Sequence, residues 1–303
     1  MRPHQNLICN LSAASRGCCD DDERGVGDRS VVVGVDGGAG RSVRLGPTRQ
    51  TGRGLTCVVM SGPHVKIDVM EREVIYGRNP VRELVRAERR RVHEIWATQE
   101  ASKESWLPRL HPKIVERGAL GKAAGTSDHQ GVIAFADPYP YVSVDELVGA
   151  PGPIICLDQL QDPRNLGAVA RVVDAVGAAG IALPKRGSPD VTGAVCKTSA
   201  GAVEHILVCQ VDNVAGFLHD ARGKGRWAFG AEASSGVDYR AAGLGADSII
   251  VIGAEGEGLR PRVKSMCDHL VHIPMAGKVD SLNLSVSAAL LLFQTVDMPQ
   301  PSI

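Results

Sequence analysis

The sequence predicts an α/β protein whose larger part is a parallel β-sheet flanked by helices. Short, continuous apolar runs recur from residue 154 onward, and stretches with helical spacing of apolar residues separate them. Strands buried on both faces of a parallel sheet appear as such continuous runs, whereas half-exposed strands alternate. Glycine- or proline-rich loops follow every run after the first, at the carboxyl ends where open α/β sheets bind ligands. The five runs begin at Ile154, Gly180, Trp227, Ser248 and Leu270.

A smaller α/β module precedes this sheet and occupies residues 70–137. Pro80 stands in the first turn of a predicted helix, a position that tolerates its missing N–H, and apolar residues follow it at helical spacing. Residues 91–98 then predict a strand, residues 106–117 a short helix, and residues 131–136 a buried strand.

The remaining segments set the domain boundaries. A proline- and glycine-rich linker at 138–153 separates the module from the larger domain at 154–296. The larger domain ends with residues 285–295, which predict a helix that is apolar nearly all round. Such a helix must be buried in a core or against a second subunit. A short tail, 297–303, follows. Residues 1–69 are rich in Gly, Arg and Asp, show little periodicity and predict a disordered extension.

Composition excludes several classes of protein. Lys+Arg and Asp+Glu number 34 each, so the formal net charge is zero and a polycation that binds nucleic acid through bulk charge is excluded. Aromatic residues make up only 4%, which disfavours a stacking platform for single strands. No apolar run approaches the roughly 18 residues of a membrane span. Eight cysteines without a C-x-x-C pair or a secretory signal predict reduced thiols in a cytoplasmic protein.

Three polar clusters follow strands of the larger domain. Asn165 and Arg171 stand at the start of a helix, where capping and a solvated charge are the plain structural explanations for them. Residues 253–258, GAEGEG, follow the most apolar strand, and their glycines either let the backbone approach a ligand or only form a tight turn. Ser281 and Asn283 lead into the final helix and are also typical capping residues. Each cluster alone is therefore a weak signal.

Together, the clusters resemble the SpoU (TrmH-like) branch of the SPOUT RNA methyltransferases. The three clusters are similar to the three motifs of that family, and a further segment between the first two motifs also matches. Two shorter stretches match the limits of the family's RNA-binding domain. The resemblance covers residues 70–296. The matching stretches are 75–81, 129–132, 165–171, 197–204, 252–259 and 273–286.

The resemblance implies a fold, a reaction and partners. The fold would be a parallel sheet with a C-terminal trefoil knot, preceded by a small L30e-like RNA-binding domain. The reaction would be S-adenosylmethionine-dependent methylation of a ribose 2′-hydroxyl, in a guanosine of 23S rRNA or, alternatively, in tRNA. A homodimer paired through the final helix is expected, with no membrane and no metal. A catalytically silent RNA-binding protein on the same fold is the alternative from another class, and a Rossmann dehydrogenase is disfavoured because no G-x-G-x-x-G follows a strand.

The resemblance also implies roles for particular residues. Arg171 is the expected catalytic residue, although a guanidinium with a pKa above about 12 suits phosphate binding better than proton abstraction. Asn165 and Glu255 would orient Arg171 or the substrate, and Ser281 and Asn283 would support the loop and the ribose–phosphate. The cofactor contacts carried over are Gly253, Ala254, Ile273, Met275 and Leu282.

A basic stretch in the small module offers a surface for RNA. Over residues 78–91, six arginines oppose only two glutamates, which predicts a phosphate-binding patch; a solvated helix face with ion pairs is the alternative. Cys267, His269 and His272 lie close in sequence, but a closed zinc site needs four ligands and strand-like alternation accounts for them, so no metal is expected. The arginines of the predicted patch are Arg78, Arg82, Arg86, Arg89, Arg90 and Arg91.

Overall fold

The computed structural model describes residues 72–233, 235–254, 256–278 and 281–296. It also gives the backbone of two short strands, β1 (Ser30–Val32) and β2 (Ser42–Arg44), which pair antiparallel. The chain divides into two compact units, residues 1–69 and 70–303. Most of the first unit and the tail lie outside the described residues, so the predicted disordered extension stays a prediction.

The small module is a four-stranded sheet with two helices. Strands β3 and β4 both pair antiparallel with β6, and β5 pairs parallel with β4, in the order β3-β6-β4-β5. Its elements are β3 (Glu73–Tyr76), α1 (Arg78–Ala87), β4 (Val92–Ala97), β5 (Lys113–Ile114), α2 (Arg117–Ala124) and β6 (Val132–Ala136).

One predicted element of this module is wrong. Residues 106–117 form a single 3₁₀ turn at Pro108–Leu110, after which the chain extends into β5. Pro112 explains the difference, because proline supplies no N–H for a helix and disfavours helical backbone in the residue before it. The helix begins only at Arg117, where no proline interferes.

The larger domain is a seven-stranded sheet in which every pair of neighbouring strands is parallel, as the sequence predicts. The order is β11-β13-β10-β12-β7-β8-β9. Its strands are β7 (Ile154–Leu157), β8 (Gly180–Pro184), β9 (Leu207–Val211), β10 (Trp227–Ala231), β11 (Val237–Asp238), β12 (Ser248–Ile252) and β13 (His269–His272). Its helices are α3 (Val144–Gly149), α4 (Pro163–Val176), α5 (Gly193–Thr198), α6 (Val214–Arg222), α7 (Pro261–Lys264) and α8 (Leu284–Phe293).

Burial explains which strands the sequence reveals. All residues of β7, β8 and β12, near the middle of the sheet, are buried, so each is a continuous apolar run. The two edge strands are absent from the prediction. Gln210 interrupts the apolar run of β9, and β11 contains only two residues.

Helix α8 packs one side against α4 and leaves the other exposed in the single chain. Leu284, Ala288, Leu291 and Leu292 are buried, and the opposite stripe is formed by the exposed side chains Val286, Leu290 and Phe293. These three stand at i, i+4 and i+7, so they lie on one helix face. The helix is apolar all round, as predicted, but one face packs in the core and the other is exposed.

A buried ion pair joins the small module to the larger domain. The guanidinium of Arg90 donates two hydrogen bonds to the carboxylate of Glu204, and both side chains are 2% exposed or less. Arg90 also pairs with Glu73 at 2.8 Å. Arg89 donates to the Ile206 carbonyl and to the Tyr139 hydroxyl. Both guanidinium groups take part in this contact, and the role of Arg89 and Arg90 in binding RNA stays a prediction.

Candidate active site

A cleft of about 260 Å³ opens at the carboxyl ends of β10, β12 and β13. This is the edge at which parallel sheets bind ligands. Helix α8 closes one side, and the loops that follow the three strands form the rest. The lining is largely apolar side chains and backbone, and it comprises Ala231, Glu232, Ala233, Ile252, Gly253, Ala254, Gly256, Gly258, Val271, Ile273, Met275, Ser281, Leu282, Leu284, Ser287 and Leu291.

The loop after β12 folds back on itself, and this requires glycine. A Cβ atom on Gly253 would lie 2.0 Å from the carbonyl oxygen of Gly258. Ala254 and Gly258 form an antiparallel bridge in which the Gly258 N–H donates to the Ala254 carbonyl at 3.0 Å. Gly256 and Gly258 have φ angles of 83° and 69°, which L side chains rarely adopt. The loop therefore presents backbone groups to the cleft.

All five residues predicted to contact the cofactor line this one cleft. Gly253 and Ala254 come from the loop after β12, whereas Ile273, Met275 and Leu282 come from the segment between β13 and α8. The sequence separates the two groups by about twenty residues, and the pairing of β10 with both β12 and β13 brings them together. Their role in binding the cofactor stays a prediction.

A second cavity of about 340 Å³ adjoins the first and contains residues of all three motifs. Ala254 and Leu284 line both cavities. Asn165, from the first turn of α4, lines the second. The remaining lining is formed by Gln159, Leu160, Gln161, Asp162 and Glu257.

The capping explanation for Asn165 is wrong. The N-cap of α4 is Asp162, whose carboxylate accepts a hydrogen bond from the Arg164 N–H at 2.8 Å. Asn165 stands three residues further on, inside the helix, and its side chain is not needed to cap it. Capping is confirmed for Asn283, which accepts from the Ser285 N–H at 2.9 Å at the start of α8.

Arg171 lies outside both cavity linings. It is exposed on α4, and it forms no ion pair with any residue that the structure describes. It stands six positions after Asn165, a rise of about 9 Å along the helix. Ser281 lines the first cavity, and Glu255 lies outside the described residues.

Sequence reasoning missed a clamp between the two loops of the site. Asp158, fully buried directly after β7, accepts a bidentate hydrogen bond from Arg260, with Nη2 to Oδ1 at 2.6 Å and Nε to Oδ2 at 3.1 Å. The hydrogen bond to Asp158 raises the pKa of Arg260. The clamp joins the loop that precedes α4 to the end of the glycine loop. In the sequence, the only sign of this pair is position: Asp158 directly follows a predicted strand, and Arg260 directly follows the matching stretch 252–259.

Comparisons with known proteins match both parts of the chain. Residues 152–293 match the SpoU rRNA Methylase family, and residues 74–142 match the RNA 2′-O ribose methyltransferase substrate binding family. YacO of Bacillus subtilis (strain 168), assigned to the TrmH family of tRNA/rRNA methyltransferases, is 36% identical over 245 residues, covering 76% of this chain and 98% of that protein. A relative of the same description from Staphylococcus saprophyticus is 37% identical, covering 74% of this chain and 95% of its own.

Solved structures share the fold. A crystal structure of an RNA 2′-O ribose methyltransferase has a TM-score of 0.61 and 26% identity, covering 75% of this chain and 88% of its own. The SpoU methyltransferase AviRb of Streptomyces viridochromogenes, solved in complex with AdoMet, has a TM-score of 0.64 and 21% identity over 74% of this chain and 88% of its own. The fold and the site thus define an RNA methyltransferase. The chain belongs to the SpoU/TrmH family.

Proposed function

We propose that this protein transfers a methyl group from S-adenosylmethionine to a ribose 2′-hydroxyl of RNA. A guanosine of 23S rRNA is the first candidate and a tRNA nucleotide the second. The observation that carries the proposal is the convergence of the three motif segments on two adjoining cavities that share Ala254 and Leu284. The printed descriptions of the relatives name both tRNA and rRNA, and they support the reaction without choosing the RNA.

The first cavity fits the proposed cofactor. Small-molecule sites are typically concave and mostly apolar, with a few polar groups that fix orientation. Here the folded glycine loop supplies backbone groups, Ile273, Met275 and Leu282 supply apolar contacts, and Glu232 and Ser281 supply polar ones. S-adenosylmethionine would bring to this site a methyl group activated by an adjacent sulfonium.

The chain's own residues must bind and orient the ribose. Asn165 reaches the second cavity from α4, and Ser281 reaches the first from the segment before α8. Asn283 holds the start of that helix. A guanidinium is a poor base, so in this proposal Arg171 binds a phosphate next to the target ribose and stabilises developing charge, with Glu255 and Asn165 orienting it. The arginines of the predicted RNA patch that lie outside the contact between the two domains are Arg78, Arg82, Arg86 and Arg91.

These arginines are not all unpaired. Arg78 pairs with Glu104 at 2.7 Å, and Arg82 and Arg86 both pair with Glu83 at 3.0 and 3.1 Å. Exposed pairs of this kind are worth about 0–1 kcal/mol, so a phosphate can displace the carboxylate at little cost.

The exposed stripe of α8 supports the proposed homodimer. Val286, Leu290 and Phe293 are 46%, 37% and 44% exposed, and a second copy would cover them. We expect Leu290→Asp to shift the sedimentation coefficient from dimer to monomer at micromolar concentration. A monomeric parent protein would contradict the dimer. The trefoil knot and the L30e-like form of the small module are carried over from the family, and a cytoplasmic location is proposed from the cysteine pattern. Among the described residues, no helix is long and apolar enough to span a membrane.

Replacing Arg171 tests the reaction. We expect Arg171→Ala to lower methyl transfer to purified rRNA or tRNA by about 10²–10³, the usual loss when one group that stabilises transition-state charge is removed. Arg171→Lys keeps a charge but not the bidentate geometry, and it should retain part of the activity. Transfer of labelled methyl groups, with mass spectrometric mapping of the nucleotide, measures both.

The same assay separates the two function classes. The exposed position of Arg171, outside the cavity linings, is the one observation that favours a catalytically silent RNA-binding protein. If the parent protein binds RNA and cofactor but transfers no methyl group to rRNA or tRNA, the silent alternative is correct. Near-normal turnover by Arg171→Ala would remove Arg171 from the site but leave the reaction in place.

A further inference from the structure

The side chain of Lys197 crosses from the larger domain to the small module. Lys197 is on α5, and a Cβ atom on Gly77 would lie 2.8 Å from its Nζ. Gly77 is the N-cap residue of α1. At its other end α5 also touches the module, because a Cβ atom on Gly193 would lie 2.3 Å from the Val74 carbonyl oxygen. The ammonium group is therefore held over the start of α1.

This is an unfavourable place for an isolated cation. The N-terminus of a helix carries a partial positive charge, and it attracts anions. Lys197 forms no ion pair with any carboxylate in the described part of the chain. Burial lowers the pKa of Lys197, and the charge of Asp128 offsets this only in part. Burial and the charges of Arg117 and Lys197 likewise lower the pKa of the neighbouring His129.

A cavity of about 250 Å³ lies beside the N-terminus of α1. Its cations are Arg78 and Arg117. Arg78 pairs with Glu104 at 2.7 Å, whereas Arg117 is exposed and forms no ion pair with any described residue. Glu100 is the carboxylate in the lining. The remaining lining is formed by Thr98, Gln130 and Gly131.

The two sides of this seam are fixed relative to each other. The buried pair of Arg90 and Glu204 joins them, and Gly201 packs against Glu83 of α1 so closely that a Cβ atom would lie 2.6 Å from the Glu83 Cβ. The helices α1 and α5 are therefore fixed relative to each other before any ligand arrives, which lowers the entropic cost of binding.

Helix α5 also contacts the helix that carries Arg171. A Cβ atom on Gly167 would lie 1.9 Å from Thr198 Oγ1, the residue after Lys197. Arg171 is on the same face of α4 one turn further, a rise of about 6 Å. A backbone phosphate bound at Lys197 would thus lie near α4, the helix that carries Asn165 and Arg171.

We propose that the seam formed by Lys197, Arg117 and the N-terminus of α1 binds a phosphodiester of the RNA backbone. The proposal rests on RNA being the substrate. The site adds to the predicted arginine patch a cation from the larger domain, so both domains hold the same strand. It selects for the backbone and not for the base, because its side chains offer positive charge.

Salt-dependent RNA binding by the full chain tests the site. The probe is a fluorescein-labelled oligoribonucleotide, compared with bulk 23S rRNA and tRNA. We expect Lys197→Met to weaken binding about fivefold and to lower the slope of log K against log salt by about 0.7–0.9, the share of one phosphate contact. Lys197→Arg should keep the parent slope, and Arg117→Met should reproduce the loss. Lys224→Met is the matched control, because Lys224 precedes β10 at the amino end of the sheet and pairs with Asp145.

The outcomes are distinct. Unchanged affinity and slope in both Lys197→Met and Arg117→Met would overturn the site, whatever methyl transfer shows. A loss of thermal stability in Lys197→Met with the parent salt slope would also overturn it, because it would mark a structural role. If the parent protein transfers no methyl group but its RNA binding still depends on Lys197, the proposed reaction fails and the site stands. If the parent protein binds none of the three RNAs, both fail.

Discussion

Glu204→Gln removes the charge from one side of the buried ion pair between the two domains. Arg90 and Glu204 have side chains 2% and 1% exposed. Breaking such a pair on one side costs about 3–5 kcal/mol, since an uncompensated charge stays buried. Arg90 keeps Glu73 at 2.8 Å and the Asp137 carbonyl at 3.2 Å, so we expect about 3 kcal/mol. For a body of this size that corresponds to a fall in melting temperature of about 6–12 °C.

Urea and thermal unfolding of the full chain, followed by circular dichroism at a fixed protein concentration, measure this loss. Arg86→Ala is the control, because it removes the exposed pair with Glu83 and should cost about 0–1 kcal/mol. Replacing both members, Arg90→Met with Glu204→Leu, should recover much of the loss, since well-packed apolar residues often substitute for a buried pair.

A change of less than about 1 kcal/mol in Glu204→Gln would refute the reasoning, because it would place the pair in the range of exposed ones. A double variant as unstable as the single one would show that packing, and not the unpaired charge, carries the cost.

Two further predictions concern the site and the core. Gly253→Ala should weaken S-adenosylmethionine binding by more than tenfold in calorimetry, because its Cβ would lie 2.0 Å from the Gly258 oxygen. Gly277→Ala is the control and should bind like the parent, because a Cβ atom there would have nothing within 4 Å. Equal affinity in both variants would contradict the folded loop. Burial raises the pKa of the Cys156 and Cys196 thiols well above the ordinary value, so neither should react with iodoacetamide at neutral pH until urea unfolds the protein, since the thiolate is the reactive form. Alkylation of either residue in the native protein, found by peptide mapping, would contradict this burial.

Much of the fold is predictable from local patterns. Strands such as β7 and β12 are buried on both faces, and their continuous apolar sequences indicate both the strand and its parallel sheet. Two elements with weak signals are not predicted correctly. The polar residue Gln210 interrupts the apolar run of the edge strand β9, and Pro112 prevents the predicted helix, so that the chain extends into β5. In both cases a single residue changes the pattern on which the prediction depends.

The candidate site is predictable as a set of residues and not as a geometry. The motif resemblance selects Asn165, Ala254 and Leu282, and the sheet order brings their loops to adjoining cavities. The tertiary structure also places Arg171 outside the linings of both cavities. The position of Arg171 along α4 does not predict this. The clamp of Asp158 and Arg260 joins residues 102 positions apart, too far for any local pattern.

The sequence by itself determined the α/β class, the parallel sheet and the motif residues, because burial and helix periodicity leave local marks in the order of residues. Only the tertiary structure decided the partners of charged side chains. Arg90 stands among arginines that predict an RNA surface, yet it meets Glu204, 114 positions away, inside the protein. Electrostatic pairing depends on distance in space, and a local run of charge carries no information about which opposite charge the fold will bring to it.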